Sequence, residues 1–506
     1  MSYNQASAPP PSYNQATGQP PPAQGMPMPT PQMPQAGGYP AGAPPPQAGG
    51  YPAGAPPPMA GGYPGAAPPQ QQSVFRLSYV DFMPSQIAGT GSTGLLSFSY
   101  PQFERFDVLV TRANQWIQQN PTMEVKTCES LEVKYEYHLG GSGAVVNPDQ
   151  SLFYDHGKGR NCYVRGLRLW FGQKMNPSAP PQQIRYINYV PGCIQAPSLF
   201  GYPQFESFGE TVNRINMMMR QNPLPGKILT VETQDVKVRG AWSTTTIDPD
   251  KSFWSEDANY RKLFLFIIRV FYVEGPPAYE EIGSGDFVPG CVHMPSGIFD
   301  WPQFEPYSQV AARACAWANG SLQGCRLANA QTLHIKISRK GWSGQMAIDS
   351  QKSSFVDSGN MTTMYVRIMR LIFLKPLQGS VAPPRPIQLS VKTFVPAQIS
   401  QGGMLSFPQF ETVGQTMQRA LAWLNAAGAS VIFAETVPIK IMSSWSNRPP
   451  AAYAEESMAY DSANHGEIYL YILRIYLDGM YQEPPPQMLP PMPQVAPSKG
   501  ADCTIQ

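Results

Sequence analysis

The tetrapeptide Pro-Gln-Phe-Glu occurs four times in the chain, beginning at Pro101, Pro203, Pro302 and Pro408. Successive copies lie about one hundred residues apart, a spacing that is too long for a solenoid repeat and typical of a small domain. The recurrence therefore predicts four copies of one module. Whatever the protein does must then gain from a unit that is present four times.

Other positions recur together with the tetrapeptide. An Arg lies eleven residues after each Pro, with a large apolar residue four positions later, at Arg112 and Trp116, Arg214 and Met218, Arg313 and Trp317, and Arg419 and Trp423. A Lys between apolar residues follows, with an acidic residue or Gln five positions before it, at Glu129 and Lys134, Glu232 and Lys237, Gln331 and Lys336, and Glu435 and Lys440. Each copy closes on an apolar run with one internal Arg, at Arg168, Arg269, Arg370 and Arg474. The repeat is thus a whole fold rather than a short motif.

The hydrophobic periodicity predicts an α+β fold of four tandem β-α-β-β modules. In each copy a short edge strand ends at a Val-Pro or Met-Pro step, and an amphipathic helix follows the tetrapeptide. A half-buried strand around the recurring Lys, a variable polar loop and a central closing strand complete the module. The predicted boundaries are a tail at 1–74, modules at 75–172, 184–273, 282–375 and 387–479, and a proline-rich leash at 480–506.

Composition limits the class of protein. The net charge is +2, which gives no field of the kind that nucleic-acid or anionic-membrane binding uses. The Pro/Gly/Gln/Tyr-rich segment 1–74 has too little apolar surface to offset its ordering entropy, so we predict that it is disordered. Its Gly-Gly-Tyr-Pro repeats are similar to the tails of long-tailed annexins, and the similarity covers the tail alone.

Targeting and cysteine patterns predict a cytoplasmic protein. The chain shows no signal peptide and no apolar stretch that would span a bilayer. Its seven cysteines include no Cys-x-x-Cys pair, which favours free thiols in a reducing compartment. Cys193 and Cys291 stand at equivalent repeat positions, and we expect both to be small buried residues.

Enzyme signatures do not appear in the sequence. The five histidines do not recur at equivalent positions or at metal-ligand spacing, and there is no phosphate-binding loop or nucleophile elbow. We therefore predict a protein that is not an enzyme and that uses no cofactor, no metal and no nucleic acid.

The recurring polar residues allow structural and functional interpretations. The helical Arg and the apolar residue four positions later share a face and form either a ligand clamp or a packing pair, of which packing is favoured. The Glu of the tetrapeptide is expected to cap the helix N-terminus. The strand Lys and Arg residues either pair with acidic residues across the sheet or form a basic stripe.

A Trp-Ser step after the middle strand recurs in three copies, at Trp242, Trp342 and Trp445. A Trp at a strand end beside a polar loop can stack on a sugar, a peptide or a lipid, or can anchor its loop. These three residues are the predicted ligand surface of the modules.

The chain ends on Cys503-Thr504-Ile505-Gln506, which fits the Cys-a-a-X prenylation pattern of the farnesyl type. Cys503 would carry the lipid, and Thr504, Ile505 and Gln506 complete the motif. One prenyl chain gives marginal, reversible anchoring. We therefore predict a peripheral attachment to membranes.

Three short peptides resemble recognition motifs. Pro10-Pro11-Ser12-Tyr13 and Pro276-Pro277-Ala278-Tyr279 look like the PPxY ligands of WW domains, with the contacts expected at Pro10, Pro11, Tyr13, Pro276, Pro277 and Tyr279. Pro177-Ser178-Ala179-Pro180 looks like the PSAP motif that the ESCRT machinery recognises. WW-domain and ESCRT-type proteins are thus the predicted partners.

The sequence favours a non-enzymatic, multivalent membrane adaptor, or scaffold, that recruits partners through its proline motifs. A lectin-like or lipid-binding protein that uses the Trp loops is the first alternative. A structural protein that self-associates through its tail is the second.

Overall fold

The computed structural model describes the chain in segments, at residues 77–88, 101–135, 146–155, 161–198, 201–238, 247–256, 262–294, 301–340, 345–357, 363–377, 386–402, 407–441, 449–461 and 466–496. Long strands dominate these segments and helices are few. The fold is therefore α+β, as predicted. No helix within these segments has the length and apolarity needed to cross a membrane.

The elements of the first half follow one another in a repeating order. Up to residue 173 they are β1 Ser78–Phe82, β2 Gln86–Ala88, β3 Gln102–Phe103, α1 Phe106–Gln119, β4 Met123–Tyr135, β5 Leu152–Asp155 and β6 Asn161–Gln173. Up to residue 274 they are β7 Ile184–Tyr189, β8 Cys193–Gln195, β9 Gln204–Phe205, α2 Phe208–Gln221, β10 Gly226–Val238, β11 Phe253–Glu256 and β12 Lys262–Glu274.

The second half shows the same order with small additions. Up to residue 376 the elements are β13 Glu280–Phe287, β14 Cys291–His293, β15 Gln303–Phe304, α3 Tyr307–Ser321, β16 Arg326–Lys340, β17 Gln345–Ile348, β18 Ser354–Asp357 and β19 Thr363–Pro376. The remainder are β20 Leu389–Phe394, β21 Gln398–Ser400, β22 Gln409–Phe410, α4 Val413–Ala427, β23 Val431–Ile441, α5 Pro450–Ala454, β24 Met458–Asp461, β25 Glu467–Asp478 and a 3₁₀ turn at Pro486–Met488.

The helices form where the sequence predicts them. In α1 the stripe Phe106, Val110, Ala113 and Ile117 is buried against the sheet, as an amphipathic helix requires. In α2 the hydroxyl of Ser207 and the carboxylate of Glu210 form a capping box, and Thr412 and Gln415 form another in α4. Gly428 ends α4 in the left-handed conformation that glycine adopts without strain.

Each helix packs on an antiparallel sheet with the same strand order. In the first sheet the closing strand β6 is central, with β1 on one side and β4 on the other. The triplets β7-β12-β10, β13-β19-β16 and β20-β25-β23 are arranged in the same way.

Each sheet also receives one strand from a segment of the chain that belongs to another sheet. β11 pairs with β6, β18 with β12, β24 with β19, and β5 with β25. The last of these pairings joins the N-terminal segment to the C-terminal one, so the four sheets are linked in a closed cycle. The variable polar loop predicted from sequence therefore contains a strand, which the sequence analysis missed because four residues carry too little periodicity.

The donated segment also caps the helix of the sheet that receives it. The first N–H of each helix donates to a carbonyl just before the donated strand, from Phe106 to Asp250, Phe208 to Gln351, Tyr307 to Glu455 and Val413 to Asp149, at 2.8–2.9 Å. A helix N-terminus leaves such N–H groups without intrahelical partners. The segment exchange therefore satisfies the helices as well as the strand edges.

A ring of side chains lies where the four sheets meet. Each of Glu129, Glu232, Gln331 and Glu435 accepts a backbone N–H from the adjacent sheet, at Thr436, Ser130, Thr233 and Thr332 respectively, at 2.6–3.0 Å. Burial raises the pKa of Glu129 to about 7, although Arg168 and the hydrogen bonds from Thr436 and Trp170 lower it. These contacts tie each sheet to the next around the cycle.

The recurring Arg of each closing strand is buried beside this ring. Arg168, Arg269, Arg370 and Arg474 are 0–2% exposed and lie directly across the sheet from Glu129, Glu232, Gln331 and Glu435. Arg168 and Arg370 form bidentate pairs with Asp81 and Asp286 at 2.6–2.8 Å. The cross-strand alternative is thus confirmed for these Arg residues, and the basic stripe is wrong because all four are buried.

Candidate functional site

Between the edge strand and the helix of each sheet lies a two-stranded hairpin that the sequence did not predict. The hairpins are β2-β3, β8-β9, β14-β15 and β21-β22. The central residue of the first strand is apolar in all four, and Ile87, Ile194 and Val292 are 66%, 64% and 67% exposed. We call Ile87, Ile194 and Val292 the tip residues.

Other apolar side chains are exposed on the same hairpins. An aromatic residue stands immediately before each buried or half-buried Pro of the tetrapeptide, and Tyr202, Trp301 and Phe407 are exposed. Met294 follows β14 and is also exposed. Nearly half of the large apolar side chains that are exposed in the described part of the chain belong to these hairpins. Scattered apolar residues are normal on a protein surface, but repeated clusters point to an interaction site.

The recurring pattern around the tetrapeptide holds each hairpin in place. In the second hairpin Glu206 accepts the N–H of Gly192 at 2.8 Å and pairs with Arg214 at 2.9 Å. Arg214 also donates to the carbonyl of Val190, at 2.8 Å. Both strands of the hairpin base are thus bonded to one helix.

We call this set of contacts, in which the Glu of the tetrapeptide pairs with the helical Arg and that Arg donates to a carbonyl at the hairpin base, the hairpin lock. The same lock recurs in the other three hairpins. The pairs are Arg112 with Glu104, Arg313 with Glu305, and Arg419 with Glu411, and these Arg residues also donate to the carbonyls of Met83, Val288 and Val395. Partial burial raises the pKa of Glu206, but hydrogen bonds from Arg214 and Gly192 outweigh this effect and lower it below its ordinary value. The carboxylate of Glu206 is therefore ionised at neutral pH.

The lock bears on two predictions from the sequence, the helix-capping role of the tetrapeptide Glu and the packing role of the helical Arg and the apolar residue four positions after it. The Glu of the tetrapeptide does not cap its own helix, because Ser207 and Thr412 occupy the N-cap positions of α2 and α4. The helical Arg bonds to the hairpin, while Trp116 packs on Phe171 of the sheet at 4.8 Å between ring centroids. The packing interpretation is therefore confirmed for Trp116.

The four hairpins occupy corresponding positions in the four sheets. Each has the same bonded relation to its own helix and sheet, and the sheets follow one another in a closed cycle. Repeated contacts that close into a cycle place equivalent residues on a circle around a common axis. We call the exposed apolar residues of the four hairpins, taken together, the hairpin face.

The C-terminal segment runs onto this face. Ala496 pairs with Ser400 beside β21, and its N–H donates to the carbonyl of Ile399 at 2.8 Å. Earlier in the segment, Glu483 accepts the indole N–H of Trp423 at 2.8 Å. The predicted flexible leash is therefore wrong as far as Ala496, because backbone and side-chain hydrogen bonds fix the segment to the last sheet.

Many of the predicted site residues lie outside the described residues. They are Pro10, Pro11 and Tyr13 of the tail, Trp242, Trp342 and Trp445 of the loops, and Cys503, Thr504, Ile505 and Gln506 at the C-terminus. Their predicted roles stay predictions.

The PSAP peptide forms a turn held by one lysine. The ammonium group of Lys174 donates to the carbonyls of Ala179 and Pro180 at 3.0 Å, while Pro177 and Ser178 are exposed. A protein that binds this peptide in an extended conformation would have to displace Lys174.

The PPxY peptide in the second linker is partly available. Pro276 and Pro277 are exposed, and Tyr279 is half exposed with φ of 49°. Its carbonyl accepts the N–H of Leu377 at 2.9 Å. A polyproline-II ligand has negative φ throughout. Tyr279 would therefore have to change its backbone conformation before a partner could bind the peptide in that form.

The cysteines on the hairpins also differ from expectation. Cys193 and Cys291 are exposed, whereas Cys128 and Cys162 are buried. The prediction of buried residues at 193 and 291 was wrong, because these positions lie on a two-stranded hairpin rather than in the core. No group of three or more His, Cys, Asp or Glu with metal-binding geometry occurs among the residues that the structure describes.

The signal that could have revealed the hairpin face is present in the sequence. An aromatic residue precedes each tetrapeptide, at Tyr100, Tyr202, Trp301 and Phe407. Periodicity gave these residues no role because the hairpin strands are two or three residues long.

No protein-family model matches the chain, and neither the curated proteins nor the solved structures gave a match.

Proposed function

We propose that the protein is a non-enzymatic membrane adaptor in which four homologous β-α-β-β modules close into one ring. The ring would lie on a lipid bilayer through its hairpin face. The observation that supports this most is the matched exposure of Ile87, Ile194 and Val292 on corresponding hairpins. A bilayer interface is the occupant we propose because it takes up several separate apolar side chains on one plane at once.

The chemistry of the hairpins favours a lipid interface over a charged partner. Tyr and Trp are suited to the interface because their rings are apolar with a polar edge, and Tyr202 and Trp301 are exposed on the hairpins that carry Ile194 and Val292. The hairpin segments 83–104, 190–206, 288–305 and 395–411 contain no Lys or Arg. Binding would therefore depend on apolar insertion rather than on attraction to anionic lipids.

The position of the C-terminal segment agrees with this orientation. Ala496 is fixed beside the fourth hairpin, seven residues before Cys503. Seven extended residues reach at most about 25 Å. A prenyl group on Cys503 would therefore enter the same membrane that the hairpin face contacts, and the weak single lipid would be reinforced by the tips.

The adaptor role adds the proline motifs to this platform. The motif at Pro10-Pro11-Ser12-Tyr13 and those at 177–180 and 276–279 would recruit WW-domain or ESCRT-type proteins to the membrane. Ligand binding by Trp242, Trp342 and Trp445, and self-association through the tail, remain the alternative proposals.

A vesicle flotation assay tests the proposal. Protein made without a prenyl transferase is mixed with uncharged phosphatidylcholine vesicles, so that neither the lipid anchor nor anionic headgroups contribute. The test variant carries Ile87→Ser, Ile194→Ser and Val292→Ser. The matched control carries Met175→Ser, Met217→Ser and Met480→Ser, which are exposed apolar residues away from the hairpins.

We expect the wild type and the methionine control to float with the vesicles, and the tip variant to remain at the bottom of the gradient. Equal flotation of the tip variant would refute the hairpin face. In cells, Cys503→Ser is expected to weaken membrane association, and unchanged association would remove the prenyl group from the account.

A further inference from the structure

A cavity of about 360 Å³ lies beside the ring of side chains where the four sheets meet. Residues from all four sheets line it, so the four sheets share this one cavity. Its volume falls in the range of small-ligand sites, which are concave, largely aromatic and supplied with a few polar groups.

We call the part of the cavity wall that one sheet and its donated strand form a sector. Stacked aromatic pairs line three of the four sectors. Each pair joins a residue of a donated strand to a residue of the closing strand that receives it. The pairs are Phe153 on Tyr469, Trp254 on Tyr163, and Phe355 on Phe264, with ring centroids 4.4–5.1 Å apart and planes within 20°.

The fourth sector departs from this pattern. The donated strand β24 places Ala459 opposite Tyr365, in the register that has an aromatic residue in the other three sectors. Ala459 and Tyr365 both line the cavity. A methyl group thus stands where the other three sectors have a ring.

Carboxylates also line the cavity. The carboxylate of Asp357 accepts the hydroxyl of Thr363 at 3.1 Å and lies 3.9 Å from Lys262. Thr363 is two residues before Tyr365, so the two side chains emerge on the same face of β19. Asp357 and Tyr365 both line the cavity, and the ring of Tyr365 meets Phe355 edge-on, with 6.1 Å between the ring centroids.

A second carboxylate of the wall has spare hydrogen-bonding capacity. The buried Oδ1 of Asp155 accepts no hydrogen bond from the described residues, and the ammonium of Lys134 is 3.7 Å away. Buried acceptors of this kind are normally satisfied. The cavity thus combines aromatic faces with carboxylate acceptors, and Lys440, which is paired with Glu467, also lines it. Aromatic faces with carboxylates are the chemistry that recognises organic ammonium ions.

We propose that this cavity binds a small arylalkylammonium ion. The ring of the ligand occupies the space beside Ala459 and stacks on Tyr365, completing the fourth aromatic pair. Its ammonium group lies against the aromatic wall and donates to Asp357. The site is independent of the hairpin face and of membrane binding.

Isothermal titration of the full chain tests the site with 2-phenylethylammonium as the probe. The key variant is Ala459→Phe, which fills the space with the kind of ring that the other three sectors already hold and so is compatible with the fold. The matched control is Ala451→Phe, an exposed position of α5 outside the cavity. Unfolding temperatures of both variants establish that they are folded.

We expect the wild type and Ala451→Phe to bind the probe, and Ala459→Phe to lose at least about tenfold in affinity, which is about 1.4 kcal/mol. Uncharged 2-phenylethanol is expected to bind at least about tenfold more weakly than the ammonium probe, because it loses the attraction to Asp357 and to the rings. Absence of wild-type binding, or equal binding by a folded Ala459→Phe, would overturn the site. Equal binding of 2-phenylethanol, or tighter binding of a methyl glucoside, would overturn the ligand class.

Discussion

The carboxylate of Glu129 accepts a hydrogen bond of 2.6 Å from the backbone N–H of Thr436, although 307 residues separate the two in sequence. The contact joins the first sheet to the last. With the pairing of β5 and β25 it closes the cycle, so neither end of the series of sheets is left without a neighbour. A sheet edge left open would be a template for association with other chains.

The hydrogen bonds of the side-chain ring predict a smaller and a larger loss of stability for two substitutions at Glu232. Gln331 occupies the corresponding position and makes two 2.9 Å hydrogen bonds with the backbone of Thr233. We expect Glu232→Gln to lower the free energy of unfolding by about 3 kcal/mol, because the buried guanidinium of Arg269, 3.7 Å away, loses its carboxylate. Glu232→Ala should cost about 1–3 kcal/mol more, because it also leaves the Ser130 N–H unpaired. Chemical denaturation measures both, and equal losses in the two variants would contradict this role.

The raised pKa of Glu129 predicts a pH dependence of stability. Since the folded protein keeps a proton on this carboxylate that the unfolded chain has already released, the free energy of unfolding should fall as the pH rises from the ordinary value of 4.5 to about 7. In Glu129→Gln this part of the slope should be absent, although the variant is less stable at every pH because Trp170 loses its carboxylate acceptor. Denaturation curves between pH 5 and 8 measure the slopes, and identical slopes would exclude Glu129 as their source.

The hairpin locks predict different costs for the same change at two positions. Arg419 and Glu411 are 17% and 8% exposed, whereas Arg313 is 49% exposed beside Glu305. Removing one partner of a buried pair leaves a charge without compensation, so Arg419→Ala should lower the free energy of unfolding by about 3 kcal/mol. Arg313→Ala should cost less than about 1 kcal/mol, because water solvates an exposed pair. A larger loss for Arg313→Ala would contradict this ranking.

The cysteines predict an order of reactivity. Cys193 and Cys291 on the hairpins should react with a water-soluble maleimide in the native protein. Cys128 should react only after unfolding, since it is buried and its pKa is raised by desolvation and by the neighbouring Glu232. Peptide mass spectrometry after timed labelling gives the order, and protection of Cys193 and Cys291 would contradict the exposed hairpins.

Sequence reasoning predicted the parts of the fold that repeat with a clear period. The stripe of Phe106, Val110, Ala113 and Ile117 specifies α1, and the apolar run around Arg168 specifies the central strand β6. Both signals are local. They need no knowledge of what lies on the other side of the element.

The closing of the cycle and the hairpin face depend on contacts between residues that are far apart in sequence or on different elements, which a local pattern does not reveal. The partner of β5 is β25, more than three hundred residues away, and no property of Leu152–Asp155 names that partner. Ile194 is exposed on β8, a strand of three residues whose hairpin is held by Glu206 and Arg214. Sequence showed that Glu206 and Arg214 recur, but not that they bond to each other.

The insertion of the hairpin face into a membrane can be measured directly at native residues. Cys193 precedes Ile194, so an environment-sensitive fluorophore on Cys193 reports the surroundings of that tip, in protein carrying Cys291→Ser, Cys315→Ser, Cys325→Ser and Cys503→Ser. A label on α2, at Met217→Cys in the same background with Cys193→Ser, serves as the control. With phosphatidylcholine vesicles, we predict a blue shift and quenching by lipid-borne quenchers for the label at residue 193, and neither effect at residue 217. An unchanged spectrum at residue 193 in the presence of vesicles would contradict the account.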